Sequence, residues 1–335
     1  MRKISCAIVA ASVIGLVGQA EAANLRFSHF LPPGHYFDND VHAWADALNA
    51  ASNGDITVQV FPAGQLGAPA DQYDMARDGI VDVAWVNFGY QPGAFPIADL
   101  IDIPFSIGAD RAVASRAVND WYSEYAPTEM EDVHFCLAHV GPPGTLHSAE
   151  EVILPADVDG MKVRPASAAL SQFIADLGGS AVQVPATEAR QAIERGVANA
   201  ITFPWGSLEF FGIADAVPYH IGTNFYYVGA GLVMNKASYE RLSDEDKAAV
   251  DSVCSSEWAE KLGASWVEFE NSGRAALEAT GGHTVHDPTE TELKAWQDAA
   301  EPSFQRWADR VNEAGYDADE VRAKLQAALT SEASK

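Results

Sequence analysis

The chain has 335 residues, with 47 acidic against 21 basic side chains, a formal charge of −26 and 48% hydrophobic residues. That balance argues against nucleic acid or an anionic membrane surface as partner, since both would be repelled. The length suits two lobes with ample cores. An anionic ligand can be held only by a local positive group withdrawn from the global field.

Residues 1–22 read as a secretion signal: Arg2-Lys3, an apolar run over 4–17 and the small-x-small site Ala20-Glu21-Ala22. This predicts a periplasmic protein. The run is too short to span a bilayer comfortably, so no direct membrane insertion is expected. Cys136 and Cys254 remain after cleavage, and whether they pair is left open by the sequence.

Taken in order, 25–30 reads as a strand, and a helix starts near Asp38 with Val41, Trp44, Ala45 and Leu48 on one face. Residues 56–61 return as a strand, 70–78 form a helix stopped by Gly79, and 80–86 form an apolar strand ending at Asn87-Phe88-Gly89. Residues 134–140 form a strand that carries the chain into a second lobe past Gly141-Pro142-Pro143-Gly144. There the same grammar recurs: strand 161–163, helix 168–177, strand 181–184, helix 187–195 and strand 197–203. Val58-Gln59-Val60-Phe61-Pro62-Ala63 is echoed by Val182-Gln183-Val184-Pro185-Ala186. Residues 225–234 form the returning strand. Apolar residues recur every three or four positions from Val250 to Leu277, which predicts one long helix over 243–281 lying along both lobes, with Gly263 and Gly273 as bends. Helices over 290–314 and 319–329 complete the chain.

The expected fold is α/β, with two lobes of mixed, mostly parallel sheets joined by hinge strands. Lobe I takes 23–142 and 228–272; lobe II takes 143–227 and 273–335. Ligands in such sheets lie beyond the carboxyl ends of the strands. Arg164 stands there, in Met161-Lys162-Val163-Arg164-Pro165, where proline ends the strand and a planar guanidinium can grip a carboxylate with two hydrogen bonds. Trp85 and Asn87 end the matching strand of lobe I on one face, with Phe88 on the other. Phe203 and Trp205 end the last strand of lobe II. His29, His35, Ser167, Asn224, Tyr226 and Tyr227 complete the candidate ligand contacts. His283 and His286 lack a third metal ligand, and no metal or cofactor is expected.

These pieces resemble the solute-binding proteins of tripartite ATP-independent periplasmic (TRAP) transporters. The resemblance spans the mature chain and rests on Phe61-Pro62-Ala63-Gly64-Gln65-Leu66-Gly67, Asp78-Gly79-Ile80-Val81-Asp82, Pro92-Gly93-Ala94-Phe95-Pro96, Ile103-Pro104-Phe105, Gly160-Met161-Lys162-Val163-Arg164 and Glu194-Arg195-Gly196-Val197-Ala198-Asn199. It implies a hinge-closing receptor that hands an organic acid to integral membrane permease subunits, with Arg164 as carboxylate anchor. Many members carry a second arginine where this chain has Gly141–Leu146 and His147, and an asparagine where it has Phe203-Pro204-Trp205. Both departures favour a monocarboxylate with an apolar or aromatic body. Two other classes compete with this one. A periplasmic enzyme lacks support from any nucleophile, zinc or phosphate-loop motif. A sensor subunit would use the same binding chemistry toward a membrane kinase.

Overall fold

The computed structural model describes residues 23–108 and 110–335; the expected signal peptide lies outside them. The chain folds into two sheets. The first is built from β1 (Ala23–Ser28), β2 (Ile56–Phe61), β3 (Val83–Asn87), β4 (Val133–Val140) and β10 (Gly229–Asn235) in the order β2-β1-β3-β10-β4. The second is built from β5 (Thr145–Ser148), β6 (Lys162–Arg164), β7 (Ser180–Ala181), β8 (Ala200–Phe203), β9 (Tyr219–Ile221) and β11 (Thr284–His286) in the order β11-β9-β5-β8-β6-β7. β1 pairs in parallel with both β2 and β3, and β6 with both β7 and β8. β10 is antiparallel to β3 and β4. β4 feeds the second lobe and β10 leads back, as the two expected crossings require. β5, β9 and β11 were not expected.

Helices α1 (Tyr36–Ala51), α2 (Gln72–Arg77), α3 (Arg111–Tyr122) and α4 (Ala126–Glu129) belong to the first lobe; α5 (Ala168–Asp176), α6 (Ala189–Glu194) and α7 (Trp205–Phe210) belong to the second. α1 shows why such a helix forms. Phe37, Val41, Trp44, Ala45 and Leu48 are buried on one stripe, and the His35 ring caps the start by accepting the Phe37 N–H. β10 ends on α8 (Lys236–Glu240).

The single helix expected over 243–281 is three: α9 (Asp244–Val253), α10 (Ser256–Lys261) and α11 (Ala264–Thr280). Cys254 ends the first and is disulfide-bonded to Cys136 of β4. Ser255 caps the second, and Gly263, at φ +92°, turns the chain before the third. Of the three, α11 still reaches both lobes, with Trp266 packed on the lobe I core and Leu277 buried in that of lobe II, and the longer α12 (Glu290–Glu313) spans both as well. Its Trp296 and Ala300 are buried with Leu170 and Phe173 of lobe II, while Phe304, Trp307 and Val311 are buried with Ile97 and Ile101 of lobe I. Pro302 falls between the two groups. The last helix, α13 (Ala318–Ala333), buries Val321, Leu325 and Leu329 in that same lobe I core, and the Trp121 indole N–H donates to the Val321 carbonyl. The C-terminal end therefore packs on lobe I rather than on lobe II, because its apolar stripe faces α3.

Candidate functional site

Both sheets end their parallel strands toward a cavity between the lobes. Lobe I contributes Phe30 and Leu31 after β1, Trp85 and Asn87 from β3, and Tyr90 just beyond it. Lobe II contributes Arg164 from β6, Phe203 from β8, and Ser207 and Phe211 from the α7 segment. Pro142, Tyr226 and Val228 from the two crossings and Trp266 of α11 close the rest.

Arg164 is 1% exposed. Its Nε–H donates to the Val184 carbonyl at 3.0 Å, and Nη2 donates to the Tyr90 hydroxyl at 3.1 Å. Phe203 lies against the guanidinium, 5.4 Å from ring centre to Cζ. These contacts orient the fork and leave Nη1 without a partner among the described residues. A buried cation in that state is a receptor for an anion, since its charge is only weakly screened.

The aromatic walls are fixed from behind. The Trp85 indole donates to His139 Nε2 at 2.9 Å, and burial holds the His139 pKa down to about 3, so that ring is neutral. The Trp266 indole and the Ser207 N–H and hydroxyl all donate to the Glu270 carboxylate. Burial pushes Glu270 up to about 7 against these hydrogen bonds. The Tyr226 hydroxyl is enclosed, and burial raises its pKa. A Cβ at Gly144 would lie 2.3 Å from its oxygen, so only glycine there lets the ring seat.

Of the residues singled out from the sequence, Arg164, Asn87, Trp85, Phe203 and Tyr226 meet in the cavity. The others do not. Phe88 points to the opposite face of the sheet and packs on Phe95 and Tyr122. Trp205, two residues beyond Phe203, turns away onto His147 and His220. His29 is bonded to Asp38 at 2.9 Å, and His35 is spent capping α1. Ser167 caps α5 through the Leu170 N–H and lines a neighbouring cavity with Tyr90 and Gln183. Asn224 is exposed beside Arg274, and Tyr227 is buried in the lobe I core. His283 bonds His220 and His286 bonds Glu292, so the two go separate ways. Sequence reasoning missed Phe30, Leu31, Tyr90, Phe211 and Trp266. The strand-end rule that found Asn87 applies equally to Phe30 and Leu31; Trp266 was absorbed into an apolar helix stripe, and Tyr90 carries no pattern at all.

Residues 27–310 match the family DctP: Bacterial extracellular solute-binding protein, family 7. The chain belongs to this family. Its relatives include the ectoine-binding periplasmic protein TeaA of Halomonas elongata, 23% identical over 97% of this chain and 96% of that one. Among solved structures, a TRAP solute-binding protein from Rhodoferax ferrireducens in complex with copurified benzoate superimposes with a TM-score of 0.86 at 25% identity, covering 93% of this chain and 99% of that one. A marine metagenome TRAP solute-binding protein specific for aromatic acid ligands, complexed with 3-hydroxybenzoate, gives 0.85 at 28% identity, covering 92% and 98%. This TRAP solute-binding protein thus has the two-lobed architecture, and its family is one of receptors rather than enzymes.

Proposed function

We propose that this TRAP solute-binding protein captures a monocarboxylate with an aromatic body in the periplasm and delivers it to the membrane permease subunits of its transporter. The observation that carries the reading is Arg164, enclosed with one guanidinium nitrogen unpartnered and walled by Phe30, Trp85, Phe203, Phe211 and Trp266. A carboxylate completes the fork with charge-assisted hydrogen bonds. Flat aromatic walls accept a flat apolar body, and among the described residues no second cation lines the cavity to hold a second carboxylate. The bound acids of the Rhodoferax ferrireducens and marine metagenome proteins support the same reading. Closure of the lobes excludes water and strengthens the arginine–carboxylate pair.

Calorimetry with benzoate, 3-hydroxybenzoate, succinate and ectoine tests this. The aromatic acids are expected to bind and succinate and ectoine to bind weakly or not at all. Arg164→Ala removes the buried partner of the carboxylate, about 3–5 kcal/mol, and is expected to abolish detectable binding. Arg164→Lys is expected to bind poorly, because an ammonium cannot reproduce the fork. Near wild-type affinity in both variants would overturn the assignment.

A further inference from the structure

Taking as its basis the reading that a monocarboxylate occupies the cavity, we infer that the ligand also carries a hydroxyl, held by the Asn87 side chain from the lobe opposite Arg164. Most hydrogen-bonding groups on the cavity wall are already engaged. The Trp85 indole is taken by His139, the Trp266 indole and the Ser207 hydroxyl by Glu270, and the Tyr90 hydroxyl by Arg164 and the Ala186 N–H. Two groups are not: the enclosed Tyr226 hydroxyl and the Asn87 amide, and of the two only Asn87 comes from the lobe opposite Arg164. Asn87 is 7% exposed, lines the cavity, and its carbonyl oxygen is fully enclosed with no partner among the described residues. A buried amide left unpaired is costly, and a ligand that fills a closed cavity must supply what solvent no longer can.

The chemistry of the missing partner follows from its neighbours. An ammonium would share the cavity with the buried Arg164 guanidinium, and among the described residues no carboxylate lines that cavity to offset it. The partner is therefore neutral. An amide offers an acceptor on one atom and a donor on the other, and a hydroxyl can answer either. Position adds a consequence. Asn87 ends β3 in the first sheet and Arg164 ends β6 in the second. A hydroxy acid bridges the lobes through two polar anchors, whereas the same acid without its hydroxyl is anchored by lobe II alone. The hydroxyl thus rewards closure as well as contact.

Calorimetry on the mature protein with two matched pairs tests this: 3-hydroxybenzoate against benzoate, and mandelate against phenylacetate. In at least one pair the hydroxylated acid is expected to bind at least about tenfold more tightly; which pair responds shows whether the hydroxyl sits on the ring or beside the carboxylate. In Asn87→Leu that ratio is expected to fall to within about twofold. The wild-type comparison stands even if the variant folds poorly. Equal affinities within both pairs, or a ratio that survives Asn87→Leu, would overturn the hydroxyl assignment while leaving the carboxylate reading intact. Absence of binding by all four acids would overturn both.

Discussion

The phenol of Tyr90 sits where an oxygen of a bound acid would be welcome, accepting one hydrogen bond from Arg164 Nη2 and another from the Ala186 N–H. Both donors belong to lobe II and the ring to lobe I, so one hydroxyl fastens the halves together. Tyr90→Phe keeps the ring on Phe30 and leaves two donors unpaired, at a cost of about 1–2 kcal/mol to the closed form. Rapid-mixing kinetics with 3-hydroxybenzoate are expected to show release roughly five- to thirtyfold faster with little change in the association rate; an unchanged release rate would refute the fastening role. At this scale the sequence was informative where geometry is repetitive. Arg164 before a proline and the alternation of Trp85 and Asn87 along β3, with Phe88 just past its end, needed only strand periodicity. Trp205 could not be placed that way, because the chain turns into α7 at Pro204 and alternation stops there.

Among the elements, the stretch from Ser243 to Gly281 shows where pattern reading ends. Its apolar spacing persists because α9, α10 and the start of α11 cover the lobe I core and Leu277 of α11 joins that of lobe II, and periodicity is blind to a break that keeps an apolar face inward. The breaks were written in other residues: Ser255 as a cap, Gly263 at positive φ, and Cys254 tied to β4. Strands β5, β9 and β11 were illegible for a different reason. Each has three or four residues, including the polar Ser148, His147, His220 and His286, and exists because a neighbour pairs with it. Gly273 is not a bend. A Cβ there would lie 2.2 Å from the Gly206 backbone nitrogen, so glycine lets α11 press against α7. Gly273→Ala is expected to destabilise the fold by about 1–3 kcal/mol, read as a lower urea midpoint. An unchanged midpoint would show that the two helices separate freely.

For the whole molecule, buried ionisable groups set how stability follows pH. Burial holds His35, His139 and His220 down to about 3, 3 and 4, so their share of stability is present above the ordinary 6.5 and is lost as pH falls toward 4. Burial pushes Glu129 and Glu270 up to about 7 and Asp102 up to about 8. Those carboxyls hold protons in the folded state that the unfolded chain has released, so their share is full at low pH and is lost as pH rises through 7 and 8. The two sets oppose each other below 6.5, and only the carboxyls act above 7. Thermal unfolding is expected to show stability falling from pH 6.5 to 8 and levelling beyond, where these carboxyls are ionised in the folded state too. Asp102→Asn, which keeps an oxygen for the Gly229 N–H, is expected to flatten that decline; an equally steep slope in the variant would assign the loss elsewhere.

Pro302 has no N–H to offer the Asp298 carbonyl, and it sits midway along the longest rod that is rooted in both lobes. Trp296 and Ala300 hold one end fast, and Phe304 and Trp307 hold the other. The rod is most compliant at its own centre, so a swing of one half against the other flexes it there and leaves both roots in place. Gaping to admit or discharge cargo then disturbs little of the buried apolar contact this rod makes on either side.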